Sequence, residues 1–231
     1  MAFHTAKLAA TLNKISKQAS IQDTLDITTI RFIGAFDCSI VGRQLVCAAV
    51  VVDAKTMEVV ERQTIIRPSP IPDIPGDTAF REGPLILELY YSLEHEPEVI
   101  MVDGEGIAHP DGGGLATYIG VELAKPVIGV SKELFVCELK DDDIILNGTI
   151  VGKRIITKQH ARPGYVSPGN LISIEAATKL ATSTVRPPHK LPEPLHIAHR
   201  IADKAAEHLV NNPQEQKTDE EQVVEEFTAE P

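Results

Sequence analysis

Three long β-rich runs stand in succession in the first third of the chain, at residues 30–40, 45–53 and 58–66. Only short polar stretches such as Val41-Gly42-Arg43-Gln44 part them. Runs this close together predict three antiparallel strands joined by hairpins. A proline-punctuated loop over 68–76 follows, too stiff for a helix or a central strand. Beyond it the pattern changes. Helical spacing over 79–93 leads into the apolar run Val99-Ile100-Met101-Val102, which ends at Asp103. A second helix opens at Gly112–Gly114 and runs to about Ala124, and another apolar run covers 127–130. Short, wholly apolar runs of this kind suit strands buried on both faces. Residues 141–158 predict a further hairpin or meander turning at Asn147-Gly148. Helices over 175–181 and 195–209 close the body, and Leu8, Leu12, Ile15 and Ala19 predict an amphipathic helix over 5–20. Hairpins first and strand–helix–strand units afterwards give an α/β domain with a mixed central sheet flanked by helices on both faces. In such sheets, sites gather at strand ends.

Composition narrows the class. With 43% hydrophobic residues among 231, the chain is neither disordered throughout nor collagen-like. No apolar run approaches the roughly 20 residues of a membrane helix, and the N-terminus lacks the apolar stretch of a secretory signal. Cys38, Cys47 and Cys137 are odd in number and form no Cys-x-x-Cys pair, which suggests buried thiols in a reducing, cytoplasmic setting. The formal net charge is −11, but residues 211–231 hold seven acids against one base. The expectation is a single domain over 1–210 and a disordered acidic tail over 211–231. The tail could dock a protein partner or compete for a nucleic-acid groove; a solubilising end is the simpler role. The body carries no broad basic footprint, so any phosphate-binding surface must be local.

Three acids stand out by context. Asp37 lies inside the apolar strand Ile33-Gly34-Ala35-Phe36-Asp37-Cys38, Asp103 ends its apolar run, and Glu82 sits near the start of a helix. Singly, an acid at a strand end or in a first turn is a cap or is solvated. An aspartate midway along an apolar strand is different, because burying an unpaired carboxylate is costly. Two such acids on neighbouring strands repel unless a divalent cation holds them. Oxygen-only ligation suits Mg²⁺ or Mn²⁺, and phosphodiester hydrolysis is one chemistry that such a site supports.

Four stretches, in this order, resemble endonuclease V. They are Phe80-Arg81-Glu82, Asp103-Gly104-Glu105-Gly106-Ile107-Ala108-His109-Pro110, Pro126-Val127-Ile128-Gly129-Val130-Ser131-Lys132 and Leu191-Pro192-Glu193-Pro194. The resemblance implies a ribonuclease H-like fold. It also implies a Mg²⁺-dependent endonuclease, with Mn²⁺ as a substitute, that cuts the second phosphodiester bond 3′ to deoxyinosine in DNA or inosine in RNA. On that carry-over Asp37 and Asp103 are metal ligands, and Glu82 holds the metal or its water. His109 and Lys132 lie beside the site, Lys132 against a phosphate oxygen.

The chain also departs from the family pattern. Pro72, Asp73, Ile74 and Pro75 fall where the family has a strand-separating wedge, usually Pro-Tyr-Ile-Pro. Asp73 replaces the tyrosine, and an acid neither stacks on a base nor attracts phosphate. The expectation is weak discrimination for inosine in duplex, or a preference for single-stranded or already distorted substrates. Asn170 stands where the family has a histidine after glycine, a position treated as part of the active site; it cannot shuttle protons near neutral pH. Asp111-Gly112 replaces two arginines. Retention of the three acids argues for retained metal chemistry. The departures leave open a nucleic-acid-binding homologue of the same fold with little or no catalysis.

Overall fold

A computed structural model describes residues 2–74, 76–157 and 162–212. The predicted tail lies outside the described residues from 213 onward, as does Pro75. The elements in chain order are α1 (Ala2–Ser16), β1 (Phe32–Val41), β2 (Gln44–Asp53), β3 (Val59–Pro68), α2 (Thr78–Tyr91), β4 (Val99–Asp103), α3 (Leu115–Leu123) and β5 (Val127–Ser131). They continue with β6 (Glu138–Lys140), β7 (Asp143–Leu146), β8 (Thr149–Ile155), β9 (Gly164–Asn170), α4 (Ile174–Ser183) and α5 (Glu193–Asn211). Among the described residues no helix is long and apolar enough to cross a membrane.

Among the described residues nine strands form one mixed sheet in the order β3-β2-β1-β4-β5-β9-β8-β7-β6. The three β-rich runs are the expected antiparallel meander, and β1, β4 and β5 are parallel. β2 is buried along nearly its whole length, which is why its sequence, Gln44-Leu45-Val46-Cys47-Ala48-Ala49-Val50-Val51-Val52-Asp53, shows no alternation. β3 is an edge strand with no fully buried residue, and from Val60 to Ile65 its residues alternate between exposed and half-buried. The expected turn at Asn147-Gly148 joins β7 to β8 with both residues at positive φ, the hairpin geometry that this dipeptide favours.

Two apolar layers cover the sheet. On one face Ile33, Ala35, Met101 and Val130 pack with Ala177 and Leu180 of α4 and with Leu195 and Ala198 of α5. On the other Phe36, Leu45, Ile100 and Val102 pack with Leu85 and Leu89 of α2 and with Leu115 and Ile119 of α3. Strand side chains alternate between these layers. Ile33 and Ala35 face α5, so Asp37 faces α5 as well.

The strand β9 is absent from the sequence-based reading, which places only a pre-helix segment there. Its composition, Gly164-Tyr165-Val166-Ser167-Pro168-Gly169-Asn170, is poor for a strand. It survives because Pro168 sits opposite Ile128 beside a break in register, where a ladder donor is not required.

Candidate active site

The site is built at the carboxyl ends of β1, β4 and β5. Parallel pairing sets Phe36 beside Val102 and Asp103 beside Val130, so the next residue of β1, Asp37, and the last of β4, Asp103, come level. Asp103 then enters a loop locked by glycines. A Cβ on Gly129 would stand 2.5 Å from the Gly104 carbonyl oxygen, and one on Gly106 would stand 2.1 Å from that of Pro168. No other residue lets this loop lie so close to β5 and β9. The Ser167 hydroxyl accepts the Gly106 N–H at 2.7 Å and completes the clamp.

From the opposite side α5 brings His199. Its Nδ1 lies 2.5 Å from Asp37 Oδ2. One ligand atom each from Asp37, Asp103 and His199 falls within 4.8 Å of the others, the group among the described residues that could hold a metal ion. Asp37 is buried, and its other oxygen accepts the Cys38 N–H at 2.9 Å. Lys132, just beyond β5, places Nζ 3.0 Å from Asp103 Oδ2. Burial, followed by the charge of Asp37, pushes the Asp103 carboxyl above its ordinary range even against the pull of Lys132. The hydrogen bond to Asp37 raises the His199 imidazole despite partial burial. Crowded, desolvated acids of this kind favour an incoming cation, and two carboxylates with one imidazole form a mixed donor set that a divalent ion accepts.

Glu82 is close enough to feel both aspartates but lies outside that group. Burial lifts it from 4.5 to about 7; the Arg81 guanidinium opposes the rise, while Asp37 and Asp103 add to it. Arg81, itself buried, donates from Nη2 to Glu82 Oε1 at 2.7 Å and from Nη1 to Asp73 in the proline loop. Asp73 is thus ion-paired with a guanidinium that also serves Glu82, while its side chain stays 71% exposed.

The other expected site residues fall in different places. Pro72, Asp73 and Ile74 lie in the loop between β3 and α2, and Ser69 Oγ donates to the Ile71 carbonyl within it at 2.7 Å. His109 is buried beneath this loop: its Nδ1 accepts the Asp111 N–H at 3.3 Å, and a Cβ on Gly76 would lie 3.8 Å from its Nε2. Asn170 stands apart from the cluster. It pairs with Val127 at the start of β5, whereas Asp103 pairs with Val130 near its end. Its side chain accepts the Ser20 N–H at 3.0 Å and donates to the Gly120 carbonyl at 2.6 Å, a brace between the chain after α1, α3 and β9.

His199 is the residue that the sequence reading missed. It follows the Leu191-Pro192-Glu193-Pro194 match by five residues, on the helix that motif opens. The ligand set read from the sequence lacked this imidazole; Asp37, Asp103 and His199 are the group that gathers, and Glu82 stands beside it within electrostatic reach of both aspartates.

The family model for endonuclease V matches residues 13–200. Endonuclease V of Dictyoglomus thermophilum is 34% identical over 184 residues, 76% of this chain and 80% of its own length. That of Desulfurococcus amylolyticus is 35% identical over 178 residues, 75% and 81% of the two lengths. Among solved structures, endonuclease V of Bacillus subtilis superposes with a TM-score of 0.80 at 27% identity, covering 86% of this chain and 90% of that one. Human ENDOV gives 0.81 at 25% identity, with 89% and 99% covered. The fold is thus the ribonuclease H-like α/β fold of these structures, and by sequence and extent of match the chain belongs to the endonuclease V family.

Proposed function

We propose that the protein is a divalent-metal-dependent endonuclease that hydrolyses the second phosphodiester bond 3′ to a deaminated purine, deoxyinosine in DNA or inosine in RNA. The observation that carries this reading is the meeting of Asp37, Asp103 and His199 at the ends of parallel strands, with Lys132 alongside. The family supports the reaction class. A Ciona intestinalis endonuclease V of the same fold has been solved with DNA containing an inosine followed by a ribo-adenosine, which supports the substrate class.

Asp37, Asp103 and His199 are the residues that would hold Mg²⁺ or Mn²⁺; when bound, the cation neutralises phosphate charge and makes a water more acidic. The protein's own groups do the rest. Lys132, whose side chain is 45% exposed, exchanges Asp103 for a non-bridging phosphate oxygen, as a compact ammonium on a flexible stem can. Glu82, buried and within electrostatic reach of both aspartates, accepts a hydrogen bond from the attacking water and orients it. Pro72, Asp73 and Ile74 meet the nucleic-acid strand, and His109 supports their loop from beneath.

The test is cleavage of end-labelled single- and double-stranded DNA and RNA, each carrying one inosine, with Mg²⁺, with Mn²⁺ and with chelator. Metal-dependent cutting one nucleotide beyond the inosine, absent in Asp37→Ala, is the expected result. Binding without cutting on every substrate would overturn the reading in favour of a non-catalytic homologue.

A further inference from the structure

Both ring nitrogens of His199 have partners. Nδ1 faces Asp37 inside the cluster, and Nε2 lies 3.4 Å from Asp203 Oδ2, one turn further along α5. Asp203 is not a member of the group whose ligand atoms gather within 4.8 Å. Its other oxygen, Oδ1, accepts a hydrogen bond from Ser39 Oγ at 3.1 Å. Ser39 is two residues beyond Asp37 on β1, so the two side chains leave the same face of the strand.

The spacing is commensurate. Two strand residues advance about 6.6 Å, and four helical residues advance about 6 Å. Asp37 therefore meets His199 while Ser39 meets Asp203, two rungs between the same pair of elements. A helical i,i+4 pair with a half-exposed carboxylate counts for little by itself. The serine bond from a separate element is what fixes this carboxylate in place.

We infer that Asp203 is a positioning residue for His199. It accepts the Nε2–H, is itself held by Ser39, and so sets the rotation of the imidazole and leaves Nδ1 as the nitrogen facing Asp37 and Asp103. A carboxylate behind a histidine is the usual way to orient a metal-binding imidazole and raise its basicity. The inference rests on the metal site proposed above. It adds two residues, Asp203 and Ser39, that the family motifs quoted above do not include.

The test uses the full chain without nucleic acid. Mn²⁺ affinity is measured by calorimetry, and nitrogen coupling to bound Mn²⁺ by pulsed electron paramagnetic resonance. Asp203→Ala should weaken Mn²⁺ binding by roughly 10- to 100-fold and diminish the nitrogen signal. Asp203→Asn, whose amide oxygen still accepts from Nε2–H, should recover much of the loss. Ser39→Ala, which leaves the carboxylate in place but free to rotate, should fall between wild type and Asp203→Ala. Asp203→Ala binding Mn²⁺ as tightly as wild type, with the nitrogen signal intact, overturns the positioning role and leaves the metal site standing. Wild type binding no Mn²⁺, or binding it no better than Asp37→Ala, overturns the metal site and the positioning role with it.

Discussion

Replacing Glu82 with glutamine should stabilise the metal-free protein at alkaline pH. The side chain is buried, and its proton affinity rises from 4.5 to about 7, chiefly because the fold removes its charge from water. Asp37 and Asp103 oppose that charge and Arg81 favours it. The rise corresponds to roughly 3 kcal/mol of disfavour for the ionised form in the folded state. The sign follows from linkage. The contribution is fully present below pH 4.5, where both states are protonated. It is lost as pH climbs through about 7, because the unfolded carboxyl ionises freely while the folded one resists. Glu82→Gln carries no such charge, so at pH 8 it should exceed wild type by about 3 kcal/mol, or some 6–12 °C in melting temperature for a domain of this size. Near pH 4.5 the two should converge. The assay is urea and thermal unfolding in chelator between pH 4.5 and 8.5. A glutamine variant less stable than wild type at pH 8, or a difference that does not narrow on acidification, would refute the reasoning. Mn²⁺ should shrink the difference, since a nearby dication relieves the crowding that raises Glu82.

Three other outcomes follow from particular contacts. Gly129→Ala puts a methyl group 2.5 Å from the Gly104 carbonyl oxygen, so it should cost about 2 kcal/mol or more by denaturant unfolding and weaken Mn²⁺ binding by displacing the loop that starts at Asp103. Glu61 is half-buried, and the desolvation alone would raise it, but it accepts N–H groups from Glu94 and His95 and so sits below its ordinary value. Its contribution is therefore present above the unfolded carboxyl's range and lost as pH falls through the folded value. Glu61→Gln should melt lower at pH 7 by about 1–2 kcal/mol and match wild type in strong acid. Asp73→Tyr removes one of the two carboxylate partners of Arg81 and supplies a ring that can stack on a base; the ratio of duplex to single-strand cleavage should rise, and an unchanged ratio would count against a wedge role for the loop.

Much of the architecture could be read from periodicity alone. The meander of β1 to β3, the buried strands β4 and β5 and the helices between them announce themselves through runs and spacing that depend on near neighbours. The strand β9 did not, because its place is set by pairing with β5 across more than thirty residues and by a tolerated proline rather than by its own composition. The same limit applies to the site. Asp37 stood out because a charge inside an apolar strand is anomalous by itself, and Asp103 because it opens a motif that resembles the family's. His199 was not, since a histidine on a mixed helix such as α5 looks ordinary until the helix is laid across β1. Asn170 shows the reverse: its position in the chain suggested chemistry, and the register of β9 carries it to the other end of β5, into a hydrogen-bonded brace.

The helix α5 has a consequence for when the protein can act. The first acid of the cluster is residue 37, the second is 103, and the imidazole arrives only at 199, near the end of the family match. A ribosome-bound chain that has folded its meander and its parallel strands still lacks that group. Because α5 packs across β1 and β2 as a late-added layer, a newly made molecule holds two aspartates and no completed cluster until residue 199 has been made. The proposed metal site is thereby missing from a growing chain until α5 has folded onto the sheet, and detachment of this single helix would dismantle it while the strands stay paired.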